Sequence, residues 1–305
     1  MTLLLQLLVA GIAVGSVYAL IALGIVLIYK CSGVVNFAQG GFAMLGAFVA
    51  YAFATHGLAP VLALAGAMVV VGAVGALTQV LVLRPMLKAP VVAVMMATLG
   101  ILITFRALCL LVWGPDQIAF PPLFPAGAVT IGGIFMTYNY VAAFLLSMAL
   151  CAAFLAFYRY TRIGLMQRCA ADNSHAALAI GIHVSNQVTI AWVASSALAA
   201  LGGVLLASLN GLSVGIASIG LVAFPVIVLG GMTSLPGAVA AGLLLGVLQQ
   251  LTDGLLTPAL EGLLRTYTGI YSVGALQQVI PYALLVLVLF VRPQGIFGAR
   301  ASERV

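Results

Sequence analysis

The sequence predicts an all-α integral membrane protein: a polytopic helical bundle of eight to nine membrane elements with broken or short helices, N-terminus out and C-terminus in. Three observations carry this. Of the 305 residues 65% are hydrophobic and only 5% charged, with a mean hydropathy of +1.29. A soluble domain carries about 25% charged residues, and no soluble fold of this length covers its surface with so few. The apolar residues also come in long unbroken runs, which suit spanning helices and not the short alternating strands of a barrel. Finally, most of the eleven Lys and Arg residues follow every second run, so they mark one side of a membrane.

Taken in order, the first run covers residues 3–29 and ends at Lys30. It lacks a basic leader and is too long for a signal core, so it reads as a retained span. Gly11 and Gly15 give it a small-residue face, with Gly24 further along. The second run, 37–55, opens with VVNFAQGG: Asn36 is placed to cap a helix starting at Phe37. Gly40 and Gly41 permit close backbone approach or a local break. The third run, 58–83, carries Gly72 and Ala76 at the same spacing and precedes Arg84 and Lys88. The fourth, 90–112, holds Arg106, the one charge well inside a run, which either snorkels or anchors an anionic group.

The connection 113–137 contains a single charge, Asp116, and leads to the fifth run, 138–158. Arg159, Arg162 and Arg168 follow it in the largest loop, 158–183. There a moderately amphipathic helix is predicted over 165–180, with Met166, Cys169, Ala170, Ala177 and Ile180 on one stripe and Gly181 as its stop. Such a helix either docks a soluble partner or rests on headgroups. The sixth run is 183–207. Two shorter runs, 215–229 and 237–251, form a short-helix hairpin over 215–251 around GGMTSLPG. Pro225 interrupts its first arm, Gly230 and Gly231 lie at the tip, and Pro236 occupies the first turn of the second arm. Asp253, Glu261 and Arg265 then fall in a loop, and the last run, 273–291, precedes Arg292, Arg300 and Arg304.

By the positive-inside rule the bases after the first, third, fifth and last runs are cytoplasmic. The hairpin 215–251 must then leave the outer side and return to it, giving eight elements if one arm is re-entrant and nine if both cross. Residues 1–305 form one transmembrane domain.

The same residues exclude several chemistries. No glycine-rich loop precedes Lys and Ser/Thr, no G-x-S-x-G elbow sits in context, and no H-E-x-x-H occurs. No carboxylate pair lies within a run to relay protons or hold a coupling cation. Cys31, Cys109, Cys151 and Cys169 read as small buried hydrophobes, and His175 with His183 lacks a third ligand for zinc. No basic face recurs that would bind nucleic acid. The expectation is a transport subunit with no catalytic residue, no metal and no cofactor, a pathway former whose energy comes from elsewhere.

The motifs carry a family likeness over nearly the whole chain. GSVYALIALGIVLIYKCSGVVNFAQGGFAMLGAF (15–48), LRPMLKAP (83–90), IGLMQRCAADNSHAALAIGI (163–182), VLGGMTSLPGAVAAGLLLGV (228–247) and VLFVRPQGIFG (288–298) follow one another in an order that resembles the LivH-type permease of branched-chain amino acid ABC importers. The resemblance implies a bacterial inner-membrane protein paired with a second, LivM-like permease, two cytosolic ATPases and a periplasmic solute-binding protein. It implies that 163–182 is the coupling helix, with Gly164, Arg168, Ala170, Asp172, Ala176, Ala177 and Gly181 as docking candidates. Ala171 stands where many relatives carry Glu, and Gln39 where many carry His. Asn36, Phe37, Gln39, Gly40, Gly41, Phe224, Pro225, Gly230, Gly231 and Pro236 become candidates for the translocation path. The alternative reading is a stand-alone channel or secondary carrier for a small neutral solute such as urea or an amide.

Overall fold

The computed structural model describes residues 2–86, 89–125, 127–131, 134–261 and 276–292. Lys88, Arg265, Arg300, Glu303, Arg304 and the expected start of the last span at residue 273 lie outside the described residues. The chain folds as a helical membrane bundle. Helix α1 (Thr2–Ser32) is followed by α2 (Gln39–Thr55), α3 (Pro60–Thr78) with a closing π turn (Gln79–Leu83), and α4 (Val91–Trp113). A β hairpin, β1 (Ala128–Ile131) with β2 (Ile134–Thr137), leads to α5 (Tyr138–Tyr160) and two short helices, α6 (Arg162–Asp172) and α7 (Ser174–Ala179). Then come α8 (Val184–Asn210), a 3-10 turn (Val214–Ser218), α9 (Ile219–Gly230), α10 (Leu235–Leu251) and α11 (Leu276–Val291). Among the described residues six helical segments are long and apolar enough to cross a bilayer, and three apolar helices are shorter: Gln39–Thr55, Val214–Gly230 and Gln278–Phe290.

Helix α1 is the axis of the bundle. It is apolar all round, and a helix of that kind is stable only when covered on every side. From Val17 to Ile28 its described side chains are almost fully buried, Tyr18 excepted. Its most extensive partner is α10, and glycines on both helices set the spacing. A Cβ on Gly15 would stand 2.8 Å from the Gly242 carbonyl oxygen, and one on Gly242 would stand 2.7 Å from the Ala19 Cα. Gly11 faces Val247 and Gly246 in the same way. In lipid, where apolar surface gains nothing by leaving the solvent, such backbone contact is a main source of helix association. Gly46 against Ala200 and Gly203 against Ala43 repeat the device between α2 and α8.

The structure differs from the sequence reading at five places. Helix α2 starts at Gln39, two residues later than expected, because Asn36 closes a turn ahead of it. The loop helix is two helices: Asn173 ends α6 and caps α7, its Oδ1 accepting from the Ala176 N–H at 3.0 Å. The second hairpin arm does not stop at residue 251. A π turn (Thr252–Leu256) carries the helix through Asp253 as far as Glu261, since Thr252 is buried and Gly254 packs on Leu7 of α1. The connection after α4 contains the β hairpin, and Ile118 within it pairs with Leu212 through two backbone bonds of 2.8 and 2.9 Å. Pro225 sits inside α9 without dividing it.

Charge sorts to the two ends. Lys30 closes α1 and shares the Tyr158 ring with Arg168, and Thr233 at the α9–α10 tip lines a cavity with both cations. Met86, two residues after Arg84, lines a cavity with Ser32. Gln278 and Tyr282 of α11 lie beside Asn210 at the opposite end, which puts Arg292 with the other bases. Among the described basic residues only Arg106, exposed on α4, stands apart from this basic end.

Candidate functional site

Two half-helices meet inside the bundle. After α1 reaches the basic end, residues 33–38 run back inward and α2 starts at depth. After α8 reaches the far end, residues 211–218 run back inward and α9 starts at depth, heading for the basic end. The two helix starts touch: a Cβ on Gly220 would stand 2.6 Å from the Gly40 N, and one on Gly40 would overlap the Ala217 carbonyl oxygen. At 1.5 Å per residue, Gly220 is about 15 Å from Gly230 at the tip, and Ile21, which faces Gln39, is about 13 Å from Lys30. Ser195 is about 16 Å from the start of α8 by the same rise. Three helices therefore place the junction near the middle of an apolar layer about 30 Å thick.

A helix start at that depth exposes N–H groups with no water to satisfy them. Side chains supply acceptors for the two residues that lead into it. The Ala38 N–H donates to Asn36 Oδ1 at 3.0 Å and the Phe37 N–H to Thr98 Oγ1 of α4 at 3.2 Å. Gln39 is fully buried. Its Nε2 donates to the backbone oxygens of Ile21 (3.4 Å) and Ser195 (3.2 Å), and its Oε1 accepts from Asn36 Nδ2 (3.2 Å) and Ser195 Oγ (3.0 Å). One amide thus ties α2 to α1 and α8. Gly24 makes room for it, because a Cβ there would overlap Gln39 Nε2 and lie 2.7 Å from Ser195 Oγ. Gly41 is packed by Leu102 and Phe105 of α4, and Phe37 faces Phe224 across the junction with ring centroids 5.8 Å apart.

Cavities approach from both sides. Toward the basic end one of about 150 Å³ is lined by Ser32, Asn36, Gln79, Thr98 and Trp192, among others. Toward the far end one of about 350 Å³ is lined by residues including Tyr18, Asn210, Ser218, Ile219, Gln249 and Gln278. The structure thus brings Asn36, Phe37, Gln39, Gly40, Gly41, Phe224 and Pro225 into one region. Gly230, Gly231 and Pro236 lie apart, at the tip of the α9–α10 hairpin. There Gly231 adopts φ +86°, Ser234 Oγ accepts from the Gly237 N–H at 3.1 Å, and Gly230 and Gly237 pack backbone on backbone.

The loop helices cover the basic end. Thr161 Oγ1 caps α6 by accepting from the Gly164 N–H at 3.1 Å, and Gly164 lets α6 press on the Tyr158 backbone. Arg168 donates to the Tyr158 and Arg159 carbonyls at 2.7 and 3.0 Å, terminating α5 and locking α6 to it. Gly164, Gln167, Ala170 and Ala177 face the bundle, while Asp172, Ala176 and Gly181 are exposed together with Leu165, Leu178 and Ile180. Ile180 is exposed although Ala177 is buried, because α7 ends at Ala179 and Ile180 is its C-cap, outside the helical phase. Four buried polar atoms lack a hydrogen-bond partner among the described residues: Tyr158 Oη, Gln167 Nε2, Ser185 Oγ and Gln187 Oε1. All four belong to the meeting of α5, α6 and α8.

Sequence reasoning missed Thr98, Ser195 and Gly220. Ser195 and Ser196 interrupt an apolar run much as Asn36 and Gln39 do, so a search for polar breaks would have found them. Thr98 and Gly220 leave no such trace.

Residues 7–289 match the family described as "Branched-chain amino acid transport system / permease component". The "High-affinity branched-chain amino acid transport system permease protein BraD" of Pseudomonas aeruginosa is 30% identical, covering 99% of this chain and 98% of its own. LivH of Salmonella typhimurium, carrying the same description, is 29% identical over 97% of this chain and 96% of its own. A "Probable branched-chain amino acid transport permease protein LivH" of Methanocaldococcus jannaschii is 28% identical over 94% and 90%. No solved structure matches.

Proposed function

Because the chain belongs to the family of branched-chain amino acid permease components, we propose that it is the membrane subunit of an ATP-driven importer that moves branched-chain amino acids across a bacterial inner membrane. It is a transport subunit and not an enzyme. The observation that carries the reading is the junction of α2 and α9: two half-helices of opposite direction touch at Gly40 and Gly220 between a cavity on each side. Substrate sites at mid-depth, formed by interrupted helices, are the arrangement transporters use to keep irregular backbone away from lipid.

In this reading nine elements cross or enter the membrane, with the segments 33–55 and 211–230 each counted once. The basic end is cytoplasmic, so the N-terminus is outside and the C-terminus inside. The partners are a second, homologous permease, two cytosolic ATPases and a periplasmic solute-binding protein. The ATPase docks on α6 and α7 through Asp172, Ala176 and Gly181 with the exposed Leu165, Leu178 and Ile180. Gly164, Ala170 and Ala177 hold that surface to the bundle from beneath, and Arg168 couples its displacement to α5. The polar seam under α6 is the part of the interface with least to lose when α6 tilts, because its buried groups are already short of partners.

The test is reconstitution. The full complex in proteoliposomes, supplied with the binding protein, is expected to take up leucine, isoleucine or valine only with ATP inside. The purified chain alone is expected to take up none. Uptake by the single chain without ATP would instead establish a channel or secondary carrier.

A further inference from the structure

We infer that the cavity of about 350 Å³ on the far side of the junction is a transit subsite that takes an aliphatic amino acid as its zwitterion. The inference rests on the importer reading and adds to it a site and an orientation. The volume is at the lower end of the range of about 300–1,000 Å³ typical of small-ligand pockets. Its walls differ in chemistry. The wall from α1, α10 and α11 presents Tyr18, Gln249, Gln278 and Tyr282, and the wall from α9 and the turn before it is mainly apolar, with Ile216, Ile219, Leu221 and Val222 beside a single hydroxyl, Ser218.

Amides and phenols on membrane helices are costly unless they meet a polar partner or a wet cavity. Tyr18 lies near the middle of α1, where its neighbours are buried aliphatic side chains, and its hydroxyl makes no hydrogen bond to another described residue. Pro225 adds to the polarity, since a proline cannot return an N–H to the carbonyl of Leu221, which lines the same cavity. Among the described residues the lining holds hydrogen-bonding groups of both kinds and no charged side chain. A solute with zero net charge, a polar head and a branched aliphatic tail matches both walls; a cationic or anionic amino acid leaves an uncompensated charge against described side chains that are all neutral. The head group faces Tyr18, Gln249 and Gln278, and the tail lies against Ile216, Ile219 and Val222.

Tyr18→Phe and Gln278→Leu test this in the reconstituted complex, with leucine as probe and co-purification of all subunits as the control for folding. Both variants are expected to assemble and to lose about fivefold or more in maximal leucine uptake, the scale of one hydrogen bond to a partly charged group. Wild-type uptake in either assembled variant overturns the site. A loss of uptake that accompanies failed assembly overturns it too, since the groups then serve packing. A wild-type complex that imports no branched-chain amino acid overturns the importer reading itself, and is seen before either variant is made.

Discussion

Gln39→Leu isolates the polar clamp at the junction, because it keeps the side-chain bulk and removes the amide. Four hydrogen bonds disappear: those to Ile21 O, Ser195 O, Asn36 Nδ2 and Ser195 Oγ. Side-chain hydrogen bonds between membrane helices are worth about 0.6 kcal/mol each on average, so four sum to about 2.5 kcal/mol. The two backbone oxygens retain acceptor roles within their helices, but Asn36 Nδ2 and Ser195 Oγ lose the amide oxygen they donate to. A buried donor left unmade costs about 1–3 kcal/mol. A loss of about 2–4 kcal/mol is therefore expected, read as the midpoint of detergent-driven unfolding of the purified protein. Ser195→Ala alone removes one of the four bonds and should cost about 1 kcal/mol. The double variant should be less damaging than the sum by about 1 kcal/mol, because the shared bond is counted twice and one stranded donor is gone. Single losses that add to within about 0.3 kcal/mol would show that the two groups are not coupled. A neutral Gln39→Leu would refute the clamp outright.

The remaining predictions bear on the junction and the docking face. Gly220→Ala places a Cβ 2.6 Å from the Gly40 N; it should cut ATP-driven uptake by at least about tenfold, the equivalent of about 1.4 kcal/mol, while membrane insertion stays normal by protease protection. Leu178→Glu and Ile180→Glu should abolish co-purification with the ATPase and leave the unfolding midpoint unchanged. Ala177→Glu should lower that midpoint by about 2 kcal/mol or more, since it buries a carboxylate against α8; equal midpoints for the three would invert the assignment of faces. Tyr158→Phe removes a buried hydroxyl without a described partner and keeps the ring between Lys30 and Arg168. Its stability should match wild type or exceed it by up to about 1 kcal/mol in the same unfolding measurement.

The spans were legible because transfer of apolar length into a bilayer is a local property: a run of about 20 residues suffices whatever surrounds it. Charge bias is local too, and Lys30, Arg84, Arg159 and Arg292 do gather at one end. What escaped was everything decided by a neighbour distant in sequence. Asp253 suggested a loop after residue 251, yet α10 continues because Gly254 finds Leu7 on α1. Ala177 and Ile180 looked like one stripe when 165–180 was drawn as a single helix, but α7 ends at Ala179 and leaves Ile180 exposed as its C-cap. Asn173 has its own reason to break that helix, as its side chain competes for the backbone of the turn that follows.

The VVNFAQGG stretch shows the same division within eight residues. Its departure from helix was visible at Asn36, because Asn disfavours helix interiors, whereas Gly40 and Gly41 lie within α2. The task of each polar group was not. A cap at a water-facing helix end needs only its own segment, and Asn36 looked sufficient for that. A chain that turns into a helix at mid-depth must find polar partners on other helices, so Thr98 accepts from the Phe37 N–H just ahead of α2 and Ser195 donates to the amide oxygen of Gln39. Gly40 is explained by neither capping nor flexibility. It is glycine because Ala217 and Gly220, on a segment entering from the opposite side, occupy the place of its side chain. At Gly40 and Gly220 the contact between the two segments is accordingly backbone against backbone, flanked by the Phe37 and Phe224 rings. On the importer reading proposed above, α2 and α9 would have to separate as bodies for solute to pass, and an ATPase docked on α6 at the basic end would supply that displacement.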